Sequence, residues 1–564
     1  MKRLKRILFI LLIATLVGAV CNARGGAEYR IIHEVDTVWK FGIKGVNLFS
    51  RNMHRIDIAY PSIDVDGSDI ELSGYVCIPG EIYDEGQPVD GILLYNHYTQ
   101  LSHNHAPTRG YAYGEDLAMA NPLKPNYIVV CSDFIGFGLT ENRPQVYCFN
   151  DINGQSNIDC LIAARKLLDD RNISQGKFII NAGYSSGGFD AIATQRVRDM
   201  KYRDQITFHK TVCGGMPFDI MKAYDKSIEW KNDSTIDASC QPFVLAMYNL
   251  HANMGYTKEQ MFKEPFASKF DEWFMSGKYD NESVLDSMKG IKLVDIMQDV
   301  FLDNKSDEYK RFKSAVNANS LKNGWTPDTT QRYYVSHVLR DNIVPIESGR
   351  PFLYFLSNFR YNGKTFDGFK RSIVPERTHL QTFYLLPTSS HTIVGGLTFY
   401  LNLAATLAAT PVLYYDGELN THYADVVEPV TLMGIIRMLE EKGYDVCGAV
   451  QKLMAGSSMS GGGFLDMLMT LEDKFRTMGT STVEVLEVLE DNGLELMDIL
   501  NVYTYLTTPK AEVKTRSLSQ DDGQELFSVS LTDYYYNKLD NWLKDNNVNL
   551  FDDFQTSNNY SYEK

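Results

Sequence analysis

The stretch that most constrains this chain is Gly183-Tyr184-Ser185-Ser186-Gly187. It follows the apolar run Phe178-Ile179-Ile180 and leads into Gly188-Phe189-Asp190-Ala191-Ile192-Ala193, which has the composition of a helix. Strand, G-x-S-x-G, helix is the setting of a nucleophile elbow, a turn that forces its serine into a strained backbone conformation. Positions flanking such a turn must be small, and glycine supplies that room. The serine then projects above the sheet edge with a helix N-terminus behind it, which favours developing negative charge.

The surrounding sequence supplies the sheet that such a turn requires. His54–Tyr60 and Ile70–Ile78 read as extended segments joined by the turn-rich Asp64-Val65-Asp66-Gly67-Ser68. Four apolar runs follow, Gly91–Tyr95, Tyr127–Cys131, Phe178–Asn181 and Phe208–Cys213, with a clear helical period over Ile158–Leu168. The pattern stops at Pro217 and resumes at Arg332–His337 and Thr382–Leu386. Between those points, residues 220–328 are rich in Met, Phe, Tyr and Trp, with helical periodicity over Phe243–His251, Glu259–Phe274 and Val284–Leu302. An insertion at this place is expected to cap a site at the C-terminal strand ends. The fold expected is α/β, a mostly parallel sheet with helices on both faces, a helical cap and an α-helical C-terminal region.

A serine hydroxyl is a weak nucleophile until a base accepts its proton, so Ser185 requires a histidine and an orienting carboxylate. In an elbow-bearing sheet they follow in the order Ser, Asp or Glu, His, each at a strand end. Asp341 stands just past the strand-like Tyr333-Tyr334-Val335-Ser336-His337, three residues before Val344-Pro345. His391 stands in the loop after Phe383-Tyr384-Leu385-Leu386. Asp328 and His379 precede their strands and face the wrong sheet edge, and His337 reads as a supporting residue. The oxyanion needs two backbone N–H donors: Ser186, and Tyr98 or Thr99 from the loop Asn96-His97-Tyr98-Thr99-Gln100. His97, His103 and His105 crowd that loop without an acidic or cysteine partner, so no metal site is read there. The chemistry calls for no cofactor.

These residues resemble the α/β-hydrolase fold and, within it, the secretory lipase family of fungi and bacteria. The similarity is carried by His97-Tyr98-Thr99 with Ala106-Pro107-Thr108, by Val129–Gly138, and by Gly154-Gln155 ahead of Asp159 and Ala163-Ala164-Arg165. It continues through Gly183–Gly188 and Cys213-Gly214-Gly215-Met216-Pro217-Phe218-Asp219, and spans about 55–410. Tyr98 replaces the glycine that usually follows the histidine of the oxyanion loop. The resemblance implies a serine ester hydrolase acting on a small-molecule or lipid ester through Ser185, Asp341 and His391. A serine peptidase of the prolyl-oligopeptidase type uses the same triad but generally carries a large N-terminal domain. A binding or assembly protein on a disused hydrolase scaffold needs none of the three side chains.

Charge and leader bound the setting. Lys2, Arg3, Lys5 and Arg6 precede an uncharged stretch from Ile7 to Val20, the form of an export signal cleaved after Ala23. Gly18-Ala19-Val20-Cys21 offers lipid anchoring at Cys21 as the alternative. Both imply a secreted, periplasmic or cell-envelope protein, and no later segment reads as a transmembrane span. The hydrolase domain is expected over 24–412. The net charge of −16 argues against nucleic acid as a partner. That charge is concentrated in residues 413–564, which hold 26 acidic and 11 basic side chains. This region reads as a separate helical module suited to protein docking. Within it Met438–Val446 and Val488–Leu496 align as the turn of a duplicated helical hairpin. The eight cysteines show no CxxC spacing; Cys148 and Cys160 are the nearest pair for a disulfide.

Overall fold

The computed structural model describes residues 28–357, apart from 44–45, 111–125, 235, 329–330 and 339–340, and short stretches between 360 and 419. The expected leader with Cys21, His379 and the duplicated hairpin lie outside the described residues.

Nine strands form the central sheet: β1 Arg30–Ile43, β2 Val46–Ile63, β3 Asp69–Pro79, β4 Gly91–Asn96, β5 Tyr127–Ser132, β6 Phe178–Tyr184, β7 Lys210–Gly214, β8 Tyr333–Val338 and β9 Leu380–Leu385. Their spatial order is β1-β2-β3-β5-β4-β6-β7-β8-β9. Pairing is antiparallel from β1 as far as β5 and parallel from β5 to β9. Successive side chains point to opposite faces of a strand, so each apolar run feeds two cores. Val76, Ile92, Leu94 and Val130 join one core, with Ile158, Leu161 and Ala164 of helix α1 (Ile152–Asp170) and Phe189, Ile192 and Val197 of helix α2 (Ser186–Lys201). Tyr75, Cys77, Leu93, Tyr95, Val129 and Ile180 join the other, which Phe399, Tyr400, Leu403 and Leu407 cover.

The chain direction reverses around β4. After β4 it moves to β5 on one side, whereas after β6 it moves to β7 on the other. The loops leaving β4 and β6 therefore diverge, opening a crevice at the C-terminal strand ends, where open α/β sheets hold their ligands. Residues of the two loops that meet there are those after Asn96 and after Tyr184.

Strand β1 was not expected. It is an edge strand whose residues alternate charged and apolar without a continuous run, and its register with β2 extends from Arg30↔Ala59 to Ile43↔Val46. The insertion also departs from expectation. Helices α3 (Ile220–Glu229), α4 (Cys240–His251) and α5 (Asp307–Ala318) form, but Glu259–Phe274 and Val284–Leu302 are not continuous helices. Phe262 turns extended to pair with Met297 in an isolated bridge, and Pro265 then starts a new helix. Gly290, at φ +78°, ends the helix begun at Asn281. Cys148 and Cys160, the nearest pair in sequence, are buried free thiols. Cys160 lies against Gly74 of β3, whereas Cys148 faces a cavity beside Ser185.

Helices α1 and α2 share a buried polar contact, Asn153 Nδ2 donating to Asp190 Oδ1 at 3.2 Å. Burial pushes the Asp190 carboxyl up to about 8, with only that bond opposing it. Its folded state therefore holds a proton that the unfolded chain releases near pH 4, so this group costs stability as pH rises from about 4 to about 8. Asp190→Asn should match the wild type in thermal stability near pH 4 and exceed it increasingly toward pH 8. Melting curves across that range check this; a stability difference independent of pH would contradict the buried neutral carboxyl.

Candidate active site

Ser185 occupies the turn between β6 and α2 with φ 57° and ψ −126°, a region disfavoured for a residue bearing a Cβ. The turn is held at several points. Ser185 N–H donates to Gly214 O at 2.8 Å, and Gly188 N–H donates to Ser185 O at 2.9 Å. A Cβ at Gly183 would lie 2.0 Å from Gly187 O, and one at Gly187 would lie 2.2 Å from Asn96 O. Both flanking glycines are thus required by backbone contact.

Beneath the turn lies a buried polar network that the sequence reading missed. Asn96, the last residue of β4, donates through Nδ2 to Asn181 Oδ1 at 2.9 Å and Ala182 O at 3.0 Å. Its Oδ1 accepts from Asn157 Nδ2 of α1 at 2.8 Å and Thr194 Oγ1 of α2 at 3.0 Å. One side chain therefore ties β4, β6, α1 and α2 directly below the serine. The only signal in the sequence was Asn181 and Asn96 standing at apolar strand positions, where a buried amide needs partners.

The structure brings Ser185, His391 and Asp341 together. Ser185 Oγ donates to His391 Nε2 at 2.9 Å, and His391 Nδ1 donates to Asp341 Oδ2 at 2.6 Å. The carboxylate at Nδ1 fixes the tautomer in which Nε2 is left to accept. Asp341 is itself held by Ile343 N–H at 3.0 Å and Val344 N–H at 2.7 Å, both donating to Oδ1. His391 is anchored by its backbone: Tyr184 OH donates to its carbonyl at 2.7 Å, and its N–H donates to Asn342 Oδ1 at 3.1 Å. His337 sits behind the acid loop, with Nε2 donating to Val344 O at 2.8 Å; burial holds this ring neutral by pushing its pKa down. Asp328 lies elsewhere, paired with buried Arg198 at 2.5 Å.

Of the oxyanion candidates, Thr99 and Ser186 meet, their hydroxyls 3.0 Å apart. The Ser186 amide is in the first turn of α2, where a helix leaves N–H groups without intrahelical acceptors. Tyr98 is turned to its own loop, its carbonyl accepting from His97 Nδ1 at 2.9 Å. The cap holds this loop from above. Asn281 Nδ2 donates to Thr99 O at 2.5 Å, and His103 N–H donates to Gly277 O at 2.8 Å. His97 is buried against Phe134, and burial pushes its pKa down. Among the described residues, no cluster of three or more His, Cys, Asp or Glu side chains is placed to hold a metal ion.

A cavity opens beside Ser185, lined by α3, α4, the acid loop and Tyr147-Cys148. Two thiols face it, and burial raises both, Cys240 to about 12. Both thiols are thus held further from the thiolate form than an exposed cysteine. Among the described residues, no helix is long and apolar enough to cross a membrane.

No protein-family profile matches the chain, and no curated protein matches it in sequence. Solved structures do match. The rice cell wall degrading esterase LipA from Xanthomonas oryzae superposes with a TM-score of 0.54 at 17% identity, covering 69% of this chain and 98% of that one. A candidate hydrolase from Legionella pneumophila gives 0.54 at 16% identity, covering 67% and 97%. Candida antarctica lipase A gives 0.46 at 13% identity, covering 69% and 86%. The two superpositions at 0.54 speak to architecture, and with the strand order and the turn at Ser185 they identify the chain as having the α/β-hydrolase fold.

Proposed function

We propose that the protein is a serine carboxylic-ester hydrolase working through an acyl-enzyme intermediate. The observation that carries the reading is the continuous hydrogen-bond chain from Ser185 Oγ through His391 to Asp341. As Ser185 attacks an acyl carbon, His391 Nε2 takes its proton and Asp341 stabilises the resulting imidazolium. The amides of Ser186 and Thr99 receive the oxyanion, helped by the N-terminus of α2. His391 then returns its proton to the leaving alkoxide, and water repeats the sequence to free the acid. An ester is preferred to a peptide bond on two grounds. The cavity at Ser185 is small and mostly apolar, and among the described residues that line it none is charged, so none grips a peptide terminus. One structural neighbour, LipA, is described as an esterase.

We also infer export through the charged and apolar leader, with residues 413–564 acting as a docking region. Mass spectrometry of the mature protein checks the leader: a chain starting at Arg24 supports signal cleavage, an acylated Cys21 supports the lipid anchor, and an intact Met1 contradicts export.

Ser185→Ala should abolish ester hydrolysis by at least about a thousandfold while leaving the circular dichroism spectrum and melting temperature close to wild type. Residual activity above about a tenth of wild type would remove Ser185 from the chemistry. Asp341→Asn keeps the shape of the acid loop but loses the charge that stabilises the imidazolium. It should lower kcat by roughly three to four orders of magnitude with little change in KM. A loss confined to KM would contradict the role given to Asp341.

A further inference from the structure

We propose that this hydrolase is specific for short acyl groups, of about two to four carbons, and that Tyr147, Tyr224 and Val244 set the limit. The inference rests on the ester-hydrolase reading and concerns which half of the ester the cavity accepts.

The cavity beside Ser185 measures about 30 Å³. A site of that volume holds roughly two to three water-sized groups. The leaving oxygen must lie beside His391 Nε2 to take the proton back, and the cavity is lined by Ser185, Ile220, Cys240 and Ile343 but not by His391. The substituent that enters it is therefore the acyl chain, with its carbonyl carbon at Ser185 and room beyond for about two or three more carbons.

The walls that close it are fixed. Tyr147 shares a hydrogen bond of 2.8 Å with Thr99 Oγ1 and packs its ring 4.7 Å from Phe243. Tyr224 is buried, donates to Phe301 O at 3.1 Å and packs 4.7 Å from Phe312. Swinging Tyr147 aside strands its buried hydroxyl, and swinging Tyr224 aside strands a buried hydroxyl and the Phe301 carbonyl, a cost of about 1–3 kcal/mol for each group left unpaired. Behind them stand Phe243, Met247 and Tyr248 of α4, all part of the cap core. A longer chain cannot extend without unpacking that core. Val244, on the cavity face of α4, closes the remaining side.

The test is kcat/KM of the full-length protein on p-nitrophenyl acetate, butyrate, octanoate and laurate, measured below the micelle concentration of each ester. The expected result is a maximum at acetate or butyrate and a fall of at least about tenfold by octanoate. Val244→Ala removes two methyl carbons from the wall and should raise the octanoate-to-acetate ratio several-fold. A wild-type maximum at octanoate or laurate overturns the short-acyl proposal and leaves the ester-hydrolase reading standing. Hydrolysis of none of the four esters overturns both. An unchanged ratio in Val244→Ala, with the short-chain maximum intact in the wild type, overturns the assignment of Val244.

Discussion

The conformation of a single residue governs the arrangement of this molecule. Ser185 sits at φ 57° only because its surroundings leave the chain no alternative. Strand β6 delivers it at the end of a fully paired run, α2 begins at the next residue, and Gly183 and Gly187 let three backbone segments touch. A non-glycine residue in such a region costs of order 1–3 kcal/mol, which the packing around it must offset. The Asn96 network supplies part of that support, since its four hydrogen bonds span two strands and two helices under the turn. The strain is useful because it lifts the hydroxyl out of the sheet and toward His391.

The cap and the sheet are not independent parts. Asn281 and Gly277 from the insertion bond the loop after β4, and Asp237 N–H donates to Asn342 O in the acid loop at 3.2 Å. At its far end Trp325 Nε1 and the Asp328 N–H both donate to Asp199 of α2 at 3.0 Å. The insertion thus leaves and rejoins the sheet on elements that carry the site, while its aromatic core forms the closed end of the cavity. The same contacts therefore hold both the insertion and the loop that carries Thr99.

Much of this was legible in the sequence, and the reason is locality. The elbow, Asp341 and His391 are each marked by a few adjacent residues after an apolar strand, so order along the chain sufficed to name them. Strands β4 to β8 were visible as apolar runs because both their faces are buried. What was missed depends on partners far away in sequence. Strand β1 has no apolar run because it is an edge with one solvated face. Asn96, Asn157, Asn181 and Thr194 read as ordinary polar residues until packing brings them together. The breaks in the cap helices come from Phe262 pairing with Met297, a contact no helical period discloses. Thr99 and Tyr98 were equivalent candidates in the sequence, and the contact of the Thr99 hydroxyl with Ser186 could not be read there. Cys148 and Cys160 are close in sequence, but helix α1 carries them to different surroundings.

A strained serine activated as a nucleophile, with an oxyanion site beside it, should react with an organophosphate. A crystal structure of the protein after exposure to a dialkyl fluorophosphate tests it most directly. One phosphoryl group is expected, bonded to Ser185 Oγ, with its phosphoryl oxygen within about 3 Å of the Ser186 and Thr99 amides. No adduct, an adduct on another residue, or a phosphoryl oxygen turned away from both amides would contradict it.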